Sequence, residues 1–196
     1  HPIAPCFWAA ARPNTFDREL RLDRLAFNVL RWKLTGRGTP AQSPLTIQGF
    51  IRSGPEKDRP DLQFQASHVS YAARPWFPLW RKGAGHEISA GTLLLNPESR
   101  GRVSLASADP HALPKILLNF LAEEPDRRAM REAIRITRRL FNSEPARSCI
   151  ARELAPGKEA DTDEELDAWL RATVISAAHP TSTCAMGTDG DAVVDA

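Results

Sequence analysis

From Phe16 to Leu34 the apolar residues Leu20, Leu25, Val29 and Leu30 recur at helical spacing, and Gly36 stands where a left-handed residue would end the helix. Trp32 on that helix reads as a packing residue. The pattern then switches to alternation. Leu45, Ile47 and Ile51 alternate with Thr46 and Gln48, and Leu62, Phe64 and Ala66 with Gln63 and Gln65, which predicts strands over Leu45–Arg52 and Leu62–Val69. His68 shares the apolar side of the second strand and reads as a core histidine. Two more strands are predicted over Ile88–Leu95 and Arg102–Ser107, joined by the turn Pro97–Gly101, and Lys115–Leu118 is a short candidate strand. Pro125 opens a long helix to about Asn142, with Met130, Ala133, Ile134, Thr137, Leu140 and Phe141 as its core face. Its other side carries Arg127, Arg128, Arg131, Arg135, Arg138 and Arg139, read as a solvated basic face offset by Glu132 and neighbouring acids. The last helix begins with a capping box, Thr162 to Glu165, and buries Leu166, Trp169, Leu170 and Val174.

Helices stand before and after the strands, not between each pair, so the pattern predicts an α+β fold with a mostly antiparallel or mixed sheet. One segment fits neither period. Ala72–His86 holds Trp76, Phe77 and Trp80 among Pro75, Pro78, Arg74, Arg81 and Lys82, and so much apolar area in a loop must cover something. It either packs on the body of the domain or forms a lid over a substrate pocket, where Trp76 or Trp80 offers a cation–π face to a quaternary ammonium.

Composition narrows the partners. Lys and Arg number 26 against 24 Asp and Glu, which implies no nucleic-acid or membrane partner. No apolar run reaches the length of a membrane span. Cys6, Cys149 and Cys184 show no paired spacing and an odd count, so a reducing, cytoplasmic compartment is expected. No glycine-rich nucleotide fingerprint, phosphate loop or His-Glu-x-x-His metal motif occurs, and no metal site is expected. The chain opens on His1 and closes on an apolar run, so a fragment is expected.

The candidate chemistry lies in Ala178–Gly187, where a helix delivers the chain to His179 and Pro180 holds the residue before it extended. A histidine at such a junction can keep one orientation while its free nitrogen faces a pocket. On residue types alone, a partly exposed loop histidine without a task is the favoured reading. Cys184 paired with His179 would suggest a thiol hydrolase, but no third partner is evident, so Cys184 reads as a buried structural thiol.

The segment His179-Pro180-Thr181-Ser182-Thr183-Cys184-Ala185-Met186-Gly187, followed by Ala192-Val193-Val194-Asp195, resembles the C-terminal signature of the glucose–methanol–choline (GMC) flavoprotein oxidoreductases. That signature runs roughly His-Pro-x-Gly-Thr-Cys-x-Met-Gly and then Val-Val-Asp. Ser182 stands where it has Gly. A second block, Asn96-Pro97-Glu98-Ser99-Arg100-Gly101-Arg102-Val103-Ser104-Leu105 with Ser107–Pro110, Pro114–Ile116 and Asn119–Leu121, is similar to the family independently. So are Gly49–Arg52 and Pro60–Gln63, and His1-Pro2 resembles the end of a further motif but means nothing alone.

The resemblance implies a sheet of about six antiparallel strands backed by helices, with residues 1–171 a partial substrate-binding domain and 172–196 the start of a return into an FAD-binding domain. It implies FAD, held mainly by an N-terminal domain absent from this chain, and oxidation of a choline-like or other primary alcohol; the electron acceptor stays unknown. His179 would accept the hydroxyl proton, Ala177 and Ala178 would line the substrate cavity, and Pro180 and Thr181 would place backbone groups near the flavin. The family's second catalytic His or Asn falls downstream of the chain, so the chain alone is expected to be inactive. The rival expectation is a stand-alone ligand-binding module that keeps the sheet without redox activity.

Overall fold

A computed structural model describes residues 1–179, 184–190 and 192–195. The elements run β1 (Pro2–Ala10), α1 (Leu22–Thr35), β2 (Leu45–Ile51), β3 (Leu62–Ser67), β4 (Glu87–Leu94), β5 (Arg102–Ser104), β6 (Lys115–Leu117), α2 (Glu124–Asn142), β7 (Ile150–Ala155), α3 (Asp163–Thr173) and β8 (Ile175–Ser176). Strands β2-β3-β4-β1-β7 lie in that order, β8 pairs with the start of β1, and every pairing is antiparallel. This is the expected α+β sheet.

Its centre was not foreseen. β1 pairs with β4, β7 and β8, yet its run Pro2–Ala10 has apolar residues in succession, which hides the alternation that marks a half-buried strand. Ala4, Cys6 and Trp8 face the helices; Ile3, Pro5 and Phe7 alternate to the opposite face. Leu62, Phe64 and Ala66 of β3 join the helix-side core as their period predicts.

Helices α2 and α3 cover that side. Met130, Ala133, Ile134 and Phe141 are buried, Phe141 stacking at 4.3 Å from Trp8, and the Thr137 hydroxyl donates to the Ala133 carbonyl while accepting from Thr92 of β4. Leu140, expected on this face, is largely exposed. The basic side of α2 is solvated only in part: Arg128 and Arg139 are exposed, Arg139 reaching Glu132 at 2.7 Å as expected, but others turn inward. Arg131 is buried and reaches Asp167 at 2.8 Å, Glu124 at 2.6 Å and Asp163 at 3.3 Å, while Arg138 holds Glu153 of β7 at 3.0 Å and the Gly157 carbonyl at 2.7 Å. Arg131 and Arg138 form the polar seam that docks α3 and β7 on α2, because Asp163, Asp167 and Glu153 come from later in the chain. The capping box of α3 forms as read, and Leu166 and Leu170 are fully buried.

The turn 97–101 does not close a hairpin between β4 and β5. Asp126, buried in the first turn of α2, accepts from the backbone N–H of Glu98 and of Ser99, both at 2.8 Å, and so draws the chain away from β4; β5 pairs with β6 in a separate two-stranded sheet. The first helix begins at Leu22, after a 3-10 turn over Phe16–Leu20, and ends at Gly36 with φ 69°. Only Asn28 of α1 is buried, and Trp32 is 42% exposed, so it does not pack as expected. His68 is half-buried edge-on against Phe16, outside the core. Among the described residues no helix is long and apolar enough to cross a membrane.

Candidate active site

α3 hands the chain to β8, whose Ile175 and Ser176 pair with Ile3 and Pro2. The Ala177 N–H then donates to the His1 carbonyl at 3.0 Å, extending the ladder by one step. Ala178 follows with φ 56°, a left-handed conformation that costs an alanine roughly 1–2 kcal/mol, and its N–H donates to the Ser176 hydroxyl at 3.1 Å. Strain of this kind turns the chain sharply out of the sheet, so His179 leaves the edge strand instead of continuing it.

The His179 ring is exposed, and the His1 ring stands edge-to-face with it, centroids 6.2 Å apart and planes at 66°. His1 is itself fixed, with Nδ1 2.9 Å from the Leu94 carbonyl. A carbonyl can only accept, so Nδ1 carries the proton and the far nitrogen of neutral His1 is left as the base. His1-Pro2, meaningless by itself in the sequence, thus puts a fixed ring beside the candidate base. The signal that would have revealed it is the strand that begins there.

Ala177 is half-buried and Ala178 exposed beside this ring. Pro180 and Thr181 lie outside the described residues. Cys184 is exposed, which overturns the expectation of a buried thiol. Cys6 is the buried one, and burial, with the nearby Glu153 carboxylate, pushes its thiol up to about 12. Among the described residues no group of His, Cys, Asp and Glu is placed to hold a metal ion.

The sheet face opposite the helices leads to this end. The register sets Ile175 beside Ile3, Ile3 beside Leu93, Leu93 beside Gln63 and Gln63 beside Phe50, a single row of aliphatic, amide and aromatic side chains. One step along, Gly91 leaves room for the Ile3 side chain and the Tyr71 hydroxyl, and Tyr71 stands edge-on to Phe7 at 5.6 Å. A cleft of about 450 Å3 lies elsewhere, between the Ser53–Lys57 loop and α2, and shares no residue with the His179 end.

The aromatic loop divides. Trp76 packs, its indole N–H donating to the Asp17 carbonyl at 2.9 Å, while Phe77, Leu79 and Trp80 stand out at the tip. Gly83 is required beneath it, since a Cβ there would come within 2.5 Å of the Asp17 carboxylate.

Comparison with known proteins places this architecture. The GMC oxidoreductase family pattern matches residues 97–196. The oxygen-dependent choline dehydrogenase of Ectopseudomonas mendocina is 36% identical over 188 residues, 96% of this chain and 33% of its own length. That of Burkholderia pseudomallei is 38% identical over 168 residues, 85% of this chain and 29% of its own. The chain therefore spans about a third of the length of the curated relatives it matches. Among solved structures, a formate oxidase superposes with a TM-score of 0.77 at 24% identity, covering 94% of this chain and 36% of that one. Pyridoxine 4-oxidase from Mesorbium loti superposes with a TM-score of 0.74 at 22% identity, covering 100% and 34%. These superpositions show the shared fold, and with the family pattern spanning half of its residues the chain belongs to the GMC oxidoreductases.

Proposed function

We propose that this chain is the substrate-side part of a longer FAD-dependent oxidoreductase that oxidises the CH–OH group of an alcohol, with His179 as proton acceptor. Residues 1–171 then form a partial substrate-binding domain and 172–196 begin the return into the FAD-binding domain. The observation that carries this reading is the exposed imidazole three residues past the end of β8, edge-to-face with the His1 ring. A planar ring system can lie against an exposed imidazole flanked by the small Ala177 and Ala178, whereas a histidine sealed in the core would admit none. Crystals of a related formate oxidase are described in terms of its FAD. FAD, when bound, supplies a two-electron acceptor for the hydride leaving the alcohol carbon.

This chain supplies the proton acceptor and part of the substrate cavity. Neutral His179 takes the hydroxyl proton, which makes departure of hydride far easier, and a positioned base of this kind contributes about a hundred- to ten-thousandfold. The His1 ring stands edge-on to it, and its own orientation is set by the Leu94 carbonyl. Ala177 and Ala178 leave space for the carbinol carbon. Pro180 and Thr181 are assigned backbone contacts to the cofactor. The relatives named for choline make a choline-like substrate one candidate and another primary alcohol the other. Without the remainder of the protein the chain is inactive.

The test is the full-length protein under anaerobic conditions. Its flavin absorbance should bleach on addition of alcohol, and His179→Gln should slow bleaching at least roughly a hundredfold while the flavin stays bound. A full-length protein that carries no flavin would overturn the reading in favour of a ligand-binding module.

A further inference from the structure

We propose that His1 is a positioning residue for His179, and that Pro2 is what commits the His1 ring to that task. The role rests on the reading of His179 as proton acceptor and deepens it by one residue.

The cause lies in the backbone. Ile3 of β1 stands opposite Leu93 of β4, so by the same register Pro2 stands opposite Leu94. A proline brings no N–H to a ladder, and the Leu94 carbonyl therefore receives no backbone donor from the residue across from it. The His1 ring takes that place, its Nδ1 2.9 Å from the Leu94 oxygen. Leu94 is buried, so its carbonyl has little water to turn to and the ring is the donor at hand. A side chain at the start of a strand becomes part of the sheet.

The other side of the same residue holds the segment that carries the base. The Ala177 N–H donates to the His1 carbonyl at 3.0 Å, and Ser176 pairs with Pro2. Residue 1 is thus tied to β4 through its ring and to the approach to His179 through its backbone. Between these ties the two imidazoles meet edge-to-face, centroids 6.2 Å apart and planes at 66°. A fixed ring so close limits the side-chain torsions open to the second one. The left-handed turn at Ala178 sets where His179 leaves the sheet, and the neighbouring ring sets how it points. Direction matters because a general base acts only within hydrogen-bond reach of its proton, and a misplacement of about 1 Å can cost about a hundredfold in rate. The task needs a flat edge and an N–H donor on one short side chain. Imidazole has both; an asparagine amide has the donor without the edge.

The experiment uses the full-length protein, bleached by alcohol in the absence of oxygen, with the limiting rate separated from the half-saturating alcohol concentration. His1→Asn keeps a donor for Leu94 and removes the edge, whereas Pro2→Ala restores a backbone N–H that competes for Leu94 and releases the ring. Each should lower the limiting rate at least roughly tenfold, with the half-saturating concentration, flavin content and thermal midpoint little changed. A second readout needs no turnover. In protein labelled at the histidine ring nitrogens, the magnetic-resonance signal that His179→Gln removes should shift in both variants. A limiting rate unchanged in either variant, while His179→Gln still slows bleaching, would overturn the role of His1 and leave the proton acceptor standing. A His179 signal that stays in place, or slowing matched by loss of flavin or of thermal midpoint, marks a residue that only holds the strand and overturns it too. Bleaching that His179→Gln does not slow overturns both readings together.

Discussion

The two sides of this molecule are finished to different degrees. Under α2 and α3 the sheet face is sealed: Ala4, Leu62, Met130, Leu166 and Leu170 are buried, and Arg131 and Arg138 meet their acids. At α1, the loop tip and the His179 end, large apolar side chains and an imidazole stand open. The difference teaches where stability resides and where function does. The sealed side holds the sheet rigid, and the rigid edge strand presents His179 and His1 to whatever completes the open side.

Four substitutions and a pH titration probe that contrast. The largest effect belongs to the open side, where His179→Gln in the full-length protein should lower kcat for alcohol oxidation about a hundred- to ten-thousandfold with little change in thermal midpoint. Steady-state rates beside a melting curve separate the two. On the sealed side the order reverses. Leu166→Ala should cost roughly 2–5 kcal/mol in urea unfolding, because its side chain is fully buried between α3 and the sheet. Arg131→Met should cost about 2 kcal/mol, less than a sealed ion pair would, since Glu124 and Asp163 stay half exposed. Thr162→Ala removes one half of the capping box and should cost about 1 kcal/mol.

Acid titration follows the same seam and should give the smallest change. Hydrogen bonds from Arg131 and then Arg127 hold the Glu124 carboxyl below its ordinary 4.5, and the hydrogen bond from Arg135, with the charge of Arg131, holds Asp163 below its ordinary 3.8. A carboxyl depressed in the folded state contributes stability that is complete above its ordinary value and is lost as pH falls through the folded one. The seam should therefore begin to loosen only as pH falls below 4.5, seen as a falling urea midpoint, and Arg131→Met should flatten that dependence.

The thiols separate the two sides chemically. Cys149 and Cys184 are exposed, while Cys6 is buried with its thiol held neutral by burial, so alkylation of the native protein should label the first two and spare Cys6 until unfolding.

Period and caps were legible in the chain itself. The alternation in β3, the core face of α2 from Met130 to Thr137 and the Thr162 capping box all stand as written, because each is decided by neighbours within a few residues. β1 escaped notice because a strand buried on both faces has no alternation to show. Arg131 and Arg138 looked solvated because Glu153, Asp163 and Asp167 come from segments the helix period cannot see.

The amino-acid order by itself determined much of which segments coil and which extend, where α3 begins, and that an imidazole followed by proline lies soon after the last helix. Tertiary structure decided what that imidazole meets. The left-handed turn at Ala178 and the pairing of β8 with the first residues of the chain bring His1 and His179 to 6.2 Å across most of the chain's length. Local propensity acts over a few residues, whereas a contact between the two ends of a chain exists only when the strands between them have settled their order in the sheet.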